Sequence, residues 1–595
     1  MAPTPGILYV TMNPHDGLSP DQFHDWYNNE HGPTRLRIPY FLTGFRYQAT
    51  DLAADGAAGS KEKPEWMAVY DMDDMNQLNS ESYLSLRGPP LKSEREATTM
   101  KKIDVNRKSY DLIFESRKDG YKSAAEVQSE GQQPPPALIS ALITLKSDAD
   151  VDDFHKWYNE EHIPLLTKVP GWRQTRRFKS SAVVKPLGPQ DEIKEVEYIA
   201  LHEFDGQNGI GGEEWTACIS TDWTKKVMTE YFGTFTSRFY KLSYTFGPAP
   251  RYLSSLTTGS VAPFTSPDGL TKEIPATPTT PGAIESYITT RDGVILPYRL
   301  EGSPDPNAPL IILSTSVMVN WHIYDAFLAS FMSQRSNQNY RVLRYHTRGR
   351  GAAAGTQPIT IDVLADDMVD LLDALRVPRA AAAIGVSLGG VSVLNLALKH
   401  PSRVAAFVAC DTNAAAPPTN AAAWDKRVAV AEAQGSTAAE YGGAAGIPEP
   451  WRWTSVGGVS AESEADKVIG ENLADETVKR WFVDESFDKG EIESRIEDVK
   501  RGVATNSLEG FKKVVRALHA YDVADEMKAS KVPGAFLAGA GDGAVPKGMR
   551  KMAETYGGGK GVYFEVEQAG HLPMVEKPDI VAGFVTEFLE KAREA

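Results

Sequence analysis

An eleven-residue pattern occurs twice in the first third of this 595-residue chain, and this repeat constrains the architecture more than any other feature. Residues 23–33 read F-H-D-W-Y-N-N-E-H-G-P, and residues 154–164 read F-H-K-W-Y-N-E-E-H-I-P. Eight of the eleven positions are identical, at an offset of 131. Self-similarity at a fixed spacing indicates a duplicated structural unit. The chain is therefore predicted to open with two copies of one domain, over residues 1–125 and 137–247.

Each copy has the pattern strand, helix, strand, strand, helix, strand. The first helix is predicted to begin at Ser19-Pro20, a capping residue followed by proline. Apolar and polar residues then recur at i, i+3, i+4, i+7 and i+8, which indicates one face of a helix. These positions are Phe23, Trp26, Tyr27, Glu30 and His31 in the first copy, and Phe154, Trp157, Tyr158, Glu161 and His162 in the second. We expect the aromatic members to pack in the core.

The second half of the chain has a different pattern. Residues 248–282 are rich in Pro, Ser and Thr and are predicted to form a linker without regular structure. From residue 283 to 595, short apolar runs alternate with amphipathic helical segments, which favours a largely parallel sheet. The strands are predicted at 284–288, 294–299, 309–314, 341–345, 380–386, 404–410, 534–539 and 562–567. Residues 412–505 have few strand signals and are predicted to form a helical cap.

Composition excludes several classes of function. Lys and Arg total 63 against 79 Asp and Glu, a net charge of -16, so the chain is not expected to bind nucleic acid. Two cysteines, Cys218 and Cys410, cannot form a disulfide framework and favour a reducing compartment. No run of about 18 apolar residues predicts a membrane span, and the N-terminus lacks a signal-peptide pattern. We therefore expect a cytoplasmic protein that acts on small molecules.

Three residues in the second half occur in the order expected of a nucleophile, an acid and a base. Gly385-Val-Ser387-Leu-Gly389 follows a predicted strand and precedes a predicted helix, the setting that exposes a serine hydroxyl. Asp542 follows the 534–539 run, and His571 follows the last predicted strand. A serine hydroxyl needs a base to take its proton. The order Ser387, Asp542, His571 therefore predicts a catalytic triad.

Residues 283–595 resemble the α/β-hydrolase superfamily, and within it the 3-oxoadipate enol-lactonases. The resemblance rests on four segments: Leu313–Val317 with Trp321, Arg344–Gly351, Cys410–Asn413 and Arg480–Phe482. It implies that Ser387 is the nucleophile, His571 the general base and Asp542 its orienting carboxylate. It also implies that the backbone N–H groups of Val317 and Leu388 form an oxyanion hole. The family usually has Asp where this chain has His346.

The duplicated half resembles the dimeric α+β barrel group, in particular EthD-like proteins, through the pattern F-x-x-W-Y-N-x-E-H-x-P. This resemblance implies two fused ferredoxin-like halves that bind a small hydrophobic molecule. His31 and His162 are candidates for acid–base groups at a second site. Alternatively, each histidine is an imidazolium at the C-terminal end of a helix dipole. His24 and His31 lie about 10.5 Å apart along a helix, too far to share an ion comfortably. We expect no metal and no cofactor.

Together these features predict a serine hydrolase that cleaves a small ester or lactone, with Trp321 and Trp481 as apolar walls of the pocket. Two alternatives stay open. The chain could instead be a cyclase, lyase or isomerase for a polyketide-like substrate, with catalysis in the barrel half. The barrel half could also serve only in binding or dimerisation, and a homodimer is among the expected assemblies.

Overall fold

In the computed structural model the chain divides into two compact units. The structure describes residues 2–52, 59–129, 134–186, 195–350, 355–441, 465–488 and 490–594. The first unit is Met1–Pro250 and the second is Arg251–Ala595. Among the described residues, no helix has the length and apolarity needed to cross a lipid bilayer.

The first unit is a closed barrel of eight antiparallel strands. Its strands are β1 (Gly6–Pro14), β2 (Phe41–Ala49), β3 (Trp66–Met72), β4 (Ile103–Arg117), β5 (Ala137–Leu145), β6 (Trp172–Ser180), β7 (Glu197–Phe204) and β8 (Phe232–Phe246). The order around the barrel is β1-β3-β2-β8-β5-β7-β6-β4. Each repeat contributes four neighbouring strands, and the repeats join where β2 pairs with β8 and where β4 pairs with β6.

Helices of the barrel unit lie in the segments between strands. Among the described residues they are α1 (Pro20–Trp26), α2 (Gly32–Leu36), α3 (Glu81–Leu84), α4 (Glu94–Met100), α5 (Ala124–Ser129), α6 (Val151–Trp157), α7 (Ile163–Leu166), α8 (Glu213–Ile219) and α9 (Asp222–Lys226). A π-helical turn joins α1 to α2 at Tyr27–His31, and another joins α6 to α7 at Tyr158–His162. The repeated pattern therefore forms the same wide turn twice.

The sequence explains why this helix forms in both copies. The Ser19 hydroxyl accepts the backbone N–H of Gln22, and Pro20 begins α1, as predicted. Phe23, Trp26 and Tyr27 are each at most 1% exposed. The aromatic residues at the corresponding positions of the second copy are buried as well. The aromatic face predicted from the spacing is thus a packing face in both repeats.

The second unit is built on a ten-stranded sheet. Its strands are β9 (Phe264–Thr265), β10 (Lys272–Ile274), β11 (Ala283–Thr289), β12 (Ile295–Gly302), β13 (Leu310–Ser314), β14 (Arg341–Tyr345), β15 (Ala382–Val386), β16 (Phe407–Cys410), β17 (Gly534–Gly539) and β18 (Val562–Val566). The order is β18-β17-β16-β15-β13-β14-β12-β11-β10-β9. From β14 to β18 all neighbours are parallel, which confirms the predicted sheet.

The segment 248–282 differs from the prediction of an irregular linker. It contains a short helix and the strands β9 and β10, and β10 pairs with β11 in the sheet. Thr271 and Glu273 are at most 3% exposed. The sheet edge supplies backbone partners that the Pro- and Thr-rich composition does not reveal, because β pairing depends on the neighbouring strand as well as on local propensity.

Helices of the second unit flank the sheet. Among the described residues they are α10 (Ser254–Thr257), α11 (Asp325–Ser333), α12 (Ile361–Ala374), α13 (Leu388–Lys399), α14 (Asn420–Gln434), α15 (Glu471–Trp481), α16 (Glu491–Ala504), α17 (Leu508–Val514), α18 (Val545–Thr555), α19 (Pro573–Glu576) and α20 (Pro578–Glu594). The segment predicted as a cap, 412–505, includes α14, α15 and α16. Its residues 442–464 lie outside the described part, and so does Gly351 of the Arg344–Gly351 motif.

Candidate active site

Ser387 lies in a sharp turn between β15 and α13. Its φ is 83° and its ψ is -109°, a conformation that costs a non-glycine residue energy. The neighbouring glycines make the turn possible. A Cβ on Gly385 would lie 2.2 Å from the Gly389 carbonyl oxygen, and one on Gly389 would lie 2.4 Å from the Ser314 carbonyl oxygen. The G-x-S-x-G pattern is therefore required by the packing of this turn.

Ser387, His571 and Asp542 form one hydrogen-bonded chain. The His571 Nε2 atom lies 3.0 Å from the Ser387 hydroxyl oxygen, and its Nδ1 atom lies 2.7 Å from Asp542 Oδ2. A carboxylate only accepts, so Nδ1 carries the hydrogen and Nε2 is free to accept the serine proton. All three residues follow the carboxyl ends of parallel strands, at one edge of the sheet. The structure thus brings together the three residues that the sequence order singled out.

The His571 loop is held from several sides. The backbone N–H of His571 donates to the Trp481 carbonyl at 2.6 Å, and the Trp481 indole stacks on the imidazole at 5.3 Å between ring centroids. The Glu576 carboxylate accepts the Gly570 N–H at 2.6 Å and the Ser486 hydroxyl at 2.7 Å. These contacts fix the imidazole orientation, and Trp481, predicted as a pocket wall, packs directly against the His571 ring.

Asp411, which sequence reasoning did not select, is a second acid beside Asp542. It follows β16 with φ 43°, is buried, and its Oδ1 accepts the Gly539 N–H at 2.9 Å. Burial, together with the negative charge of Asp542, holds the pKa of Asp411 well above its usual range. One carboxyl oxygen of Asp411 and one of Asp542 lie within 4.8 Å of each other, so a protonated Asp411 can direct its hydrogen toward the Asp542 carboxylate.

Among the described residues, Asp411, Asp542 and His571 lie close enough together to be considered as ligands of a metal ion. One ligand atom from each of Asp411, Asp542 and His571 lies within 4.8 Å of the others. His571 Nδ1, however, is hydrogen-bonded to Asp542, and its other nitrogen faces Ser387. This orientation suits a proton relay, since both ring nitrogens already have partners.

The two residues predicted for the oxyanion hole follow the carboxyl ends of β13 and β15. Leu388 is the first residue of α13, whose leading N–H groups have no acceptor within the helix. Val317 lies in the buried loop after β13 and precedes Met318, which has φ 68°. Arg350 Nη1 donates to the Met318 carbonyl and to the Gly502 carbonyl of α16, both at 2.8 Å. Arg350 therefore ties this loop to a helix of the predicted cap.

Trp321 and His346 form a stacked pair behind this loop. Trp321 is 0% exposed, and its ring lies 3.8 Å from the His346 ring at an angle of 10°. Burial and the charge of Arg350 hold the pKa of His346 well below its usual range, so its imidazole is neutral. Neither ring nitrogen of His346 has a hydrogen-bond partner in the part of the chain that the structure describes. The role of Trp321 as a pocket wall stays a prediction.

In the barrel unit, His31 pairs with a carboxylate. His31 Nδ1 lies 3.0 Å from Glu96, which also accepts the Trp26 indole N–H at 2.7 Å. Burial and the charge of Arg35 lower the pKa of His31 to about 4. Burial opposes ionisation of Glu96, but His31, Arg35 and Trp26 outweigh it and lower its pKa to about 2. At neutral pH a neutral imidazole therefore faces an ionised carboxylate, which argues against the imidazolium alternative.

His162 has different surroundings. Its Nδ1 lies 3.5 Å from the Cys218 sulfur, and its ring stacks on Trp157 at 4.6 Å. Burial and the charge of Arg177 lower the pKa of His162 to about 4, so it is also neutral. Within the described ranges no carboxylate contacts His162. His31 and His162 thus occupy equivalent positions in the repeat but have different hydrogen-bond partners, a carboxylate for His31 and a thiol for His162.

Comparisons with known proteins agree with the fold of the second unit. A family model described as "Alpha/beta hydrolase family" matches residues 315–584. The 3-oxoadipate enol-lactonase 1 of Acinetobacter baylyi is 26% identical over 306 residues, 50% of this chain and 96% of the relative. Enol-lactonase 2 of the same organism is 28% identical over 255 residues, 42% of this chain and 78% of the relative. A solved enol-lactonase from Burkholderia xenovorans LB400 is 26% identical and covers 51% of this chain and 99% of its own, with a TM-score of 0.41. The C-terminal half of this chain is therefore an α/β hydrolase, and the protein is a hydrolase enzyme.

Proposed function

We propose that the C-terminal half cleaves a small-molecule ester or enol-lactone through an acyl-enzyme. One observation carries the proposal: the Ser387 hydroxyl on its strained turn, 3.0 Å from His571 Nε2, with His571 Nδ1 2.7 Å from Asp542. This is the geometry that nucleophile, base and orienting acid need. The enol-lactonase names of the relatives support the substrate class.

The reaction follows from these positions. His571 Nε2 takes the proton of Ser387 as the serine oxygen attacks the carbonyl carbon. The tetrahedral oxyanion is stabilised by the N–H groups of Val317 and Leu388, each donor being worth roughly 10²–10³-fold in rate. His571 then protonates the leaving oxygen, which in a lactone stays attached to the acyl chain. Water, deprotonated by His571, releases the product acid and restores Ser387.

Intact mass after treatment with a fluorophosphonate tests this proposal. The wild-type chain should gain one adduct, and Ser387→Ala should gain none. An unlabelled wild type that is folded by circular dichroism would contradict the proposal. Product mass separates hydrolysis from the alternatives, because a hydrolase adds one water to its substrate and a cyclase, isomerase or lyase does not.

For the barrel half we propose a tandem of EthD-like, ferredoxin-like repeats that binds a small hydrophobic molecule. The strand order supports it, since the two repeats contribute their strands in the corresponding orders β4-β1-β3-β2 and β8-β5-β7-β6. The His31–Glu96 pair favours a catalytic contribution over binding alone, since it leaves Nε2 as a base. Turnover of the natural substrate by His31→Ala and His162→Ala tests this. Unchanged turnover in both would leave the barrel as a binding or dimerisation module.

A further inference from the structure

A cavity of about 150 Å³ lies beside α1 and α4 of the first repeat. A cavity of this size accommodates a single aromatic ring. Its walls are largely aromatic and aliphatic, and they include Trp26, Tyr27, Tyr70, Leu8 and Met12. His31 and Glu96 also line it. Such a chamber, in which charged side chains converge on an apolar body, has the character of a small-molecule site.

Positive charge predominates among the polar groups of this cavity. Arg35, Arg87, Lys92 and Arg107 line it, against one carboxylate, Glu96. Glu96 is already saturated by the Trp26 N–H, the His31 N–H and the nearby Arg35. The Arg107 Nε atom is buried and has no hydrogen-bond partner among the described residues. A buried guanidinium donor without an acceptor is costly unless a ligand satisfies it, and carboxylates are its natural partners.

The second repeat lacks this set of residues. The Ser93 hydroxyl caps α4 by accepting the Glu96 N–H, and the Thr221 hydroxyl caps α9 by accepting the Thr224 N–H. The Trp26 indole donates to Glu96, whereas the Trp157 indole donates to the Thr224 hydroxyl. Thr224 therefore occupies the position of Glu96. At the repeat offset of 131, Arg35 corresponds to the buried residue Leu166.

We propose that the first repeat alone binds a small aromatic carboxylate, with the carboxylate at Arg107 and Lys92 and the ring in the apolar part of the cavity. The proposal rests on the small-molecule-binding function proposed for the barrel and specifies its ligand. His31 lines the same cavity, and its Nδ1 is hydrogen-bonded to Glu96. Its other ring nitrogen, Nε2, is therefore an acceptor on the side of the ring away from Glu96. The bound acid is thereby placed beside a neutral base.

Isothermal titration calorimetry of the full-length protein with benzoate tests this inference, with benzamide as a neutral molecule of the same shape. We expect one benzoate per chain and benzamide binding about tenfold weaker or worse. Arg107→Gln should weaken benzoate binding about tenfold and leave benzamide unchanged. Lys92→Gln, at the rim, provides a second variant if Arg107→Gln does not fold. Lys225→Gln removes an exposed positive charge from the second repeat and should change nothing.

Prior labelling of Ser387 with a fluorophosphonate separates this site from the hydrolase. Benzoate should bind the labelled protein with unchanged affinity and stoichiometry. Loss of binding on labelling, two sites per chain, or benzoate affinity unaffected by both Arg107→Gln and Lys92→Gln would overturn the inference. Equal affinities for benzoate and benzamide would overturn the preference for an anion and leave the barrel a binding module. Binding of neither compound would contradict both, while labelling of Ser387 would still support the hydrolase.

Discussion

Replacing Asp411 by asparagine tests the role of the second acid most directly. Asparagine has the same shape, so its oxygen can still accept the Gly539 N–H, and its amide can direct a hydrogen toward Asp542 as a protonated Asp411 can. We therefore expect Asp411→Asn to retain activity close to that of wild type at pH 7. Asp411→Ala leaves the Gly539 N–H without its acceptor, which costs about 1–3 kcal/mol, and should lower activity.

The sign of the pH dependence follows from the raised pKa of Asp411. Above pH about 4 an unfolded aspartate is ionised, whereas the folded Asp411 stays protonated. Folding then takes up a proton and becomes less favourable as the pH rises toward the folded-state pKa. Each unit by which the folded pKa is raised corresponds to about 1.4 kcal/mol. Asparagine takes up no proton, so Asp411→Asn should be the more stable protein at pH 7.

Calorimetric unfolding at pH 4 and pH 7.5 measures this difference. The transition of the hydrolase half is identified as the one that a fluorophosphonate on Ser387 shifts. Asp411→Asn should unfold at nearly the wild-type temperature at pH 4 and at a higher temperature at pH 7.5. A variant that is less stable than wild type at pH 7.5, or whose difference from wild type does not change with pH, would refute the idea that Asp411 is protonated in the folded protein.

Three further substitutions test other contacts. Gly389→Ala should cost about 2 kcal/mol or more and abolish labelling of Ser387, because its Cβ would lie 2.4 Å from the Ser314 carbonyl oxygen. Gly583→Ala, at an exposed helix position with open space around it, should leave labelling unchanged and raise the stability by about 0.5–1 kcal/mol in the same assays. Arg350→Met should lower kcat about tenfold with little change in KM, because the Met318 carbonyl beside Val317 loses its hydrogen-bond donor. Steady-state kinetics with an activated ester measure this, and an unchanged kcat would contradict it. Glu96→Gln should destabilise the barrel by about 1–3 kcal/mol, because Trp26 and His31 lose an ionised acceptor for their N–H groups. Urea unfolding measures this, and unchanged stability would argue against an ionised Glu96 paired with His31.

The parallel sheet can be predicted from the sequence because its strands are local apolar runs. The three residues Ser387, Asp542 and His571 can be predicted from their order along the chain. The run Ala380–Val386 was predicted as a strand from its position before Ser387 despite its alanines, and the strand forms at Ala382–Val386. Asp542 and His571 follow strands whose carboxyl ends meet at one sheet edge, so their order along the chain was informative. Parallel strands of this kind are buried on both faces and appear as continuous apolar runs.

The residues that were missed depend on contacts between distant segments. Asp411 acts on Asp542 from 131 positions away, and Glu96 reaches His31 from 65 positions away. Asp411 lies in the Cys410–Asn413 segment that carries the resemblance, but that segment alone indicates no role for its side chain, and Glu96 lies outside the motifs. The strands β9 and β10 were missed for a related reason. β10 pairs with β11 at the edge of the sheet and β9 pairs with β10, whereas the composition of both strands favours irregular chain.

The duplicated motif serves packing in both repeats, whereas the charged cavity is found beside the first repeat. The motif is nearly identical in both copies, and its aromatic residues are buried in both, so packing of the helix on the barrel accounts for its retention. Glu96 and Arg35 lie outside the eleven residues, and they differ between the copies. A symmetric dimer of one repeat would carry both features twice, because its subunits are identical. Fusion removes that constraint, so the second repeat can have Thr224 and Leu166 where the first has Glu96 and Arg35. The charged groups of the cavity in the first repeat therefore come from residues outside the shared motif.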